Sequence, residues 1–162
     1  MNCRVWRLGD NIDTDVLAPG QYMKFDIDVI SSHCLESVRS DFVIDVKPGD
    51  VIVAGRNFGA GSSREQAPQA LKYLGIAAVI AQSFAGLFYR NALNLGLPVL
   101  ACDAVAEIVD GDHLEVDLAG GVLTLRAPTR RLRCEAMPSF LLEMVRAGGL
   151  VPHLEKRIRN AP

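Results

Sequence analysis

Long hydrophobic runs are missing from this sequence of 162 residues. No stretch approaches the roughly 20 consecutive apolar residues that a membrane-spanning helix needs, which excludes such a helix. The opening MNCRVWRLGDNIDTD turns polar and acidic too early for a secretory signal, so a cytoplasmic protein is expected. Paired cysteines are missing too. Cys3, Cys34, Cys102 and Cys134 form no CxxC, and His33, His113 and His153 are scattered. The local spacing of many zinc and iron–sulfur sites is therefore absent, no metal site is expected within this chain, and reduced thiols are the default. Positive charge is not in excess either: 17 Lys and Arg against 19 Asp and Glu give a formal net charge of −2. No basic stripe with interleaved aromatics is present, so nucleic acid is not an expected partner. The densest basic patch, Arg126 with Arg130, Arg131 and Arg133, reads as a solvated face or a partner contact. Lys156-Arg157-Ile158-Arg159 reads as the basic end of a solvated tail.

What is present is a soluble composition, 49% hydrophobic with the apolar residues in short runs, and no repeat or linker, so residues 1–162 are expected to form one domain. A first strand is predicted over 4–8, followed by the polar loop 9–15, GDNIDTD, in which Asp10, Asp13 and Asp15 crowd together. Turn chemistry accounts for such a cluster. A calcium loop would need spaced ligands and a closing Glu that are missing. Pro19-Gly20 signals a turn, residues 26–37 fit a helix with Ile27, Ile30 and Cys34 inward, and 42–46 read as a short strand or extended run. The apolar runs 51–53, 76–81 and 97–101 read as buried parallel strands. Between them, 64–74 and 83–95 read as helices, ended by Gly75 and Gly96. This alternation predicts a βαβαβ core with right-handed crossovers. Residues 113–118 and 122–126 around Gly120-Gly121 predict a hairpin. A helix over 137–147, starting after Pro138, and a tail over 150–162 complete the reading.

The stretch 51–69, VIVAGRNFGAGSSREQAPQ, carries the chemistry. A strand, a loop with Gly55, Gly59 and Gly61, and a helix start make an anion-binding arrangement, because first-turn N–H groups and the helix dipole favour negative charge. Ser62-x-x-Glu65 and Ser63-x-x-Gln66 also fit capping boxes. Two serines and three glycines exceed what a cap requires, and Arg64 supplies a cationic fork suited to a carboxylate. No Gly-Lys-Ser/Thr follows and no GxGxxG is present, which excludes a P-loop and the dinucleotide fingerprint. A serine beside amide N–H groups, a helix start and an arginine is suited to proton transfer, since each stabilises its alkoxide form.

Gly9-Asp10-Asn11-Ile12-Asp13-Thr14-Asp15, Gly59-Ala60-Gly61-Ser62-Ser63-Arg64-Glu65, Ala81-Gln82-Ser83-Phe84, the run from Asn91 to Gly96 and the closing Ala147-Gly148-Gly149-Leu150 together resemble the small subunits of 3-isopropylmalate dehydratase, the swivel-domain members of the aconitase superfamily. The resemblance covers nearly the whole chain. It implies an α/β fold, the swivelling β/β/α domain, with a parallel βαβαβ core and an added β-hairpin. It implies Ser62 as the catalytic base, Asp15 as an orienting group in the active site, and Ser63 and Arg64 as holders of a substrate carboxylate. A [4Fe-4S] cluster would be carried by a separate large iron–sulfur subunit, without which this chain is inactive, and the substrate would be a small hydroxy-dicarboxylate. The resemblance also places Lys24, in Tyr22-Met23-Lys24-Phe25, over the variable arm of the substrate. Isopropylmalate-acting members carry a small apolar residue there and tricarboxylate-acting relatives carry a cation. Lys24 can pair with a third carboxylate or snorkel away and leave its stem at the pocket, so a homoaconitase or a dimethylmalate or methylmalate dehydratase small subunit stands as an alternative. A stand-alone carboxylate-binding module using the same loop is the alternative of another class.

Overall fold

The structure is a computed structural model that describes residues 2–162. In chain order it contains β1 (Cys3–Arg7), α1 (Thr14–Leu17), α2 (Ile27–Ser32), α3 (Phe42–Asp45), β2 (Val51–Ala54), α4 (Gln66–Tyr73), β3 (Ala78–Ala81), α5 (Gly86–Asn94), β4 (Val99–Ala101), β5 (His113–Asp117), β6 (Val122–Arg126), β7 (Thr129–Arg133), α6 (Ser139–Arg146) and α7 (Leu150–Arg159). Seven strands form one mixed sheet in the order β4-β3-β2-β1-β5-β6-β7. The first four are parallel, in register Val5 to Val51, Val51 to Ala78 and Val79 to Val99, and the last three are an antiparallel meander joined to β1 through Cys3 and Leu114.

Alternation along the strands sorts two cores. Trp6, Ile52, Ala54, Val79 and Ala81 point to the helices and pack with Phe42, Phe58, Leu71, Phe88 and Leu93. Val5, Val51, Val53, Ile80 and Leu100 point the other way and meet Leu114, Leu123, Leu125 and Leu132 of the meander. β2, β3 and β4 are buried and read as continuous apolar runs, whereas β1, next to the meander, carries the half-buried Arg4 and Arg7. The meander curls round until the ends of the sheet meet: the Glu135 N–H donates to the Ala101 carbonyl at 2.9 Å.

Five expectations need correction. Within 42–46, Phe42–Asp45 form the short helix α3 rather than a strand, with Val46 its C-cap; Phe42 is sealed edge-on against Trp6 at 5.0 Å between ring centroids, and the Val46 N–H bonds back to the Phe42 carbonyl. Helix α5 starts at Gly86, not Ser83, because Phe58 and Phe84 first form a bridge and the Phe58 N–H donates to the Ser83 carbonyl. The hairpin gains a third strand, β7, which contains Arg130, Arg131 and Arg133 and has one buried residue, Leu132. Residues 150–159 form α7, not an irregular tail; Gly149, at φ 128°, sets its start in a backbone conformation that suits glycine. Cys102 and Cys134 are not reduced thiols but a disulfide, their Cα atoms 4.3 Å apart; the curl of the sheet brings together residues that sequence spacing leaves 32 positions apart.

Candidate active site

Parallel pairing decides where the two polar motifs meet. β1 and β2 run side by side, so both leave the sheet at their carboxyl ends, the usual place for a site in an open α/β sheet. Their loops stay zipped beyond the strands. The Gly55 N–H donates to the Gly9 carbonyl at 3.1 Å, Asn11 to Arg56 at 2.8 Å, Gly59 to Ile12 at 2.7 Å and Thr14 to Ala60 at 2.8 Å. This zipper lays Asp13-Thr14-Asp15 against Gly61-Ser62-Ser63-Arg64. Glycine is required along it for two reasons. A Cβ on Gly55 would stand 1.8 Å from Asp10 Oδ1, whose carboxylate accepts the Arg56 N–H at 2.7 Å. A Cβ on Gly59, at φ 82°, would stand 2.2 Å from the Phe88 ring.

Each acidic side chain of the first loop has a separate task. Asp13 caps α1 by accepting the Val16 N–H at 2.9 Å. Asp15 accepts from Arg64 Nη1 at 2.7 Å and from the Gly20 N–H at 2.9 Å. The Arg64 guanidinium, helped by that N–H, holds the Asp15 carboxyl below the usual carboxylate range. Arg64 Nη1 also donates to the Ala18 carbonyl at 2.9 Å. The guanidinium is thus aimed by α1 and the turn after it, with further N–H groups left to face a ligand.

Ser62 is fixed by Thr14, which is buried. Thr14 Oγ1 donates to the Ser62 carbonyl at 2.9 Å, and the two hydroxyl oxygens lie 3.3 Å apart. The threonine proton is committed to the carbonyl, so in this arrangement the serine hydroxyl is the donor toward Thr14. The capping boxes do not form. The residue preceding α4 is Glu65, with no side-chain cap, and the Arg64 N–H turns back to the Ser62 carbonyl at 2.8 Å. The serines therefore stand a turn ahead of the helix, both exposed to solvent.

Of the residues singled out in the sequence, Ser62, Asp15 and Arg64 come together and Ser63 sits exposed between them. Lys24 does not join them: its ammonium rests 5.3 Å from the centroid of the Phe25 ring. Thr14, between Asp13 and Asp15, carries no signal of its own in the sequence, where the acids dominate the motif. Gly20 was read only as a turn, yet a Cβ there would press on Asp15 and Arg64 at 3.2 and 3.3 Å. A shallow depression lined by Asp15, Pro19, Gly20, Gln21, Glu36 and Ser37 adjoins the cluster. A larger cavity, about 540 Å³, lies elsewhere, between α6 and α7.

Comparisons with known proteins identify relatives over nearly the whole chain. The family model described as the aconitase C-terminal domain matches residues 15–104. The chain is 48% identical over 156 residues to the methanogen homoaconitase small subunit of Methanothermobacter thermautotrophicus, covering 96% of this chain and 91% of that protein. It is 47% identical over 160 residues to the 3-isopropylmalate dehydratase small subunit of Halothermothrix orenii, covering 98% and 97%. A crystal structure of 3-isopropylmalate dehydratase from Methanocaldococcus jannaschii superposes with a TM-score of 0.92 at 45% identity, covering 98% of this chain and 95% of that one.

Proposed function

We infer the function of this chain from the family it belongs to, that of the aconitase C-terminal domain: it is the small subunit of a heteromeric hydro-lyase that interconverts 2-isopropylmalate and 3-isopropylmalate by dehydration and rehydration, a step of leucine biosynthesis. The observation that carries the reading is the convergence of Ser62, Thr14, Arg64 and Asp15 at the carboxyl ends of two adjacent parallel strands. Residues 1–162 act as one swivel domain in the cytoplasm, and among the described residues no helix is long and apolar enough to cross a membrane.

The proposed roles follow from the contacts. Ser62, ionised, takes the proton from one substrate carbon as the hydroxyl leaves the neighbouring carbon as hydroxide. On rehydration Ser62 gives the proton to the carbon that lost the hydroxyl and hydroxide adds to the carbon that lost the proton, so that H and OH have changed places. Loss of the serine proton frees its oxygen to accept, and Thr14, 3.3 Å away, can turn its own proton to it. Arg64 grips a substrate carboxylate with the N–H groups that Asp15 and Ala18 leave unused, and Ser63 adds a hydroxyl to the same group. Asp15 keeps the guanidinium aimed and does not itself touch the reacting atoms.

Among the described residues no three His, Cys, Asp or Glu side chains are grouped to hold a metal. In this proposal the cluster belongs to the large subunit, which closes the site over the hydroxy-dicarboxylate. Lys24 favours a second reading, homoaconitase, because an exposed cation four residues on from Gly20, whose N–H bonds to Asp15, suits a third carboxylate. The test is the small subunit assembled with its large subunit and assayed on isopropylmalate and on homocitrate-type acids. Turnover of isopropylmalate that is lost in Ser62→Ala is expected; a Ser62→Ala enzyme with near-normal turnover would refute the assignment.

A further inference from the structure

We propose that His33 is a positioning residue for substrate discrimination: through a ring stack with Tyr22 it holds in place the turn that carries Lys24. This rests on the reading above, in which Lys24 faces the variable arm of the substrate.

Besides the packing of Met23 against the core, residues 20–25 are fastened to the body of the molecule at two points. At the first, the Gly20 N–H bonds to Asp15, and the glycine lies so close to Arg64 that a Cβ would meet Nη2 at 3.3 Å. At the second, the Tyr22 ring lies flat on the imidazole of His33, with centroids 3.6 Å apart and planes 5° from parallel. Parallel rings at this separation exchange a large apolar contact and fix one another in two rotational degrees of freedom.

His33 is a firm base for the stack. Its Nδ1 lies 2.7 Å from Glu36 Oε2; a carboxylate only accepts, so the imidazole donates from Nδ1 and its plane is set. Its backbone N–H closes the end of α2 on the Ile30 carbonyl at 3.1 Å. The turn beyond it is tied to α1 by the Leu35 N–H, which donates to the Val16 carbonyl at 2.9 Å, with Leu35 itself buried at φ 61°. On the other side of the stack, the Phe25 N–H donates to the Tyr22 carbonyl at 3.0 Å. Lys24 therefore sits inside a turn that closes on Tyr22. The lysine is exposed, and its ring contact is with its own neighbour Phe25, so the turn decides where the cation stands and the stack decides where the turn stands.

The two fastenings predict different failures. Disturbing the first also disturbs Arg64 and Asp15 and impairs every substrate alike. Disturbing the second releases the Lys24 end and leaves the Arg64 end held, so it changes the preference between substrates.

The experiment uses the small subunit assembled with its large subunit. kcat and KM are measured for an acid with three carboxylates and for a malate with an alkyl arm, in the wild type, His33→Ala, His33→Phe, Tyr22→Leu and the His33→Ala/Tyr22→Leu double variant. The ratio of kcat/KM between the two substrates is expected to shift about fivefold in His33→Ala, the factor equivalent to about 1 kcal/mol. The shift should come from KM, with kcat on the better substrate held within about twofold. His33→Phe, which keeps a flat ring, restores the ratio, and the double variant shifts it no further than one substitution does. An unchanged ratio, an equal fall on both substrates, or additive effects in the double variant would overturn the proposal. If His33→Ala fails to fold, Tyr22→Leu removes the other ring of the stack, and the same shift in the ratio is required of it. Ser62→Ala runs alongside: retained turnover there refutes the role of Ser62, a wild-type complex that turns over neither substrate refutes the function itself, and wild-type turnover with an unmoved ratio in the His33 variants refutes only the role of His33.

Discussion

The parallel and antiparallel halves of the sheet are built from similar apolar residues and do different work. β1 to β4 run the same way, so their carboxyl ends lie along one rim, and the loops after β1 and β2 meet there through a ladder of backbone hydrogen bonds. β5 to β7 alternate in direction, so successive turns fall at opposite ends and no rim collects them. Every residue assigned a chemical role lies in or beside the parallel half, while the meander covers its far face with Leu114, Leu123, Leu125 and Leu132. Strand direction, more than composition, decides which half bears the site.

That contrast can be broken from either side. The largest effect is expected from Ser62→Ala in the assembled enzyme: a loss of about 10²–10⁴-fold in kcat with an unchanged thermal midpoint, since the exposed hydroxyl fills no core. Next comes Arg64→Lys, which keeps the charge and loses the planar fork; KM should rise about tenfold to a hundredfold in steady-state assays. Gly59→Ala forces a methyl into the Phe88 ring at a φ of 82° and should cost about 2–4 kcal/mol in denaturant unfolding, with activity falling because the zipper that seats Thr14 is displaced. On the other side, Leu123→Ala opens a cavity in the meander core and should cost about 2–4 kcal/mol, yet leave activity per folded molecule near the wild-type level. Equal damage to activity from Leu123→Ala and Gly59→Ala would dissolve the division between the halves.

The smallest effect concerns pH. Asp15 has a depressed carboxyl pKa in the folded protein, because Arg64 and the Gly20 N–H favour its charged form. Its contribution is therefore present above the ordinary carboxylate value of about 4 and is lost as pH falls through the lower folded value. Its side chain is 65% exposed, so the stability at stake is under about 0.5 kcal/mol. Carboxyl titration by NMR should show Asp15 titrating below an ordinary aspartate in the wild type, and shifted upward in Arg64→Ala.

What the sequence made legible follows the same division. The parallel strands and the helices between them announce themselves through unbroken apolar runs and terminal glycines, and the residues of the Ser62–Arg64 loop stand adjacent in the chain. The failures arise where a local pattern is weak or overruled. Thr129–Arg133 has a single buried side chain and is a strand only because β6 pairs with all five of its residues. Phe42–Asp45 is β-branched in composition but is held helical by the burial of Phe42 under Trp6. The serines suggested a cap, and Thr14, 48 residues earlier, engages Ser62 instead. The pairing of Cys102 with Cys134 depends on the curl of the whole sheet, which no local spacing records.

That curl also limits how other proteins can approach. A sheet with open sides invites a foreign strand to add itself. Here the outer side of β4 is bridged at Ala101 by Glu135 and clasped by Cys102–Cys134, and the outer side of β7 carries arginines that discourage stacking. Recognition by strand addition is closed off at both margins. A large subunit is therefore expected to read this protein through its loops and helix faces, and the loop after β2 presents the exposed Ser62 and Ser63 to that reading.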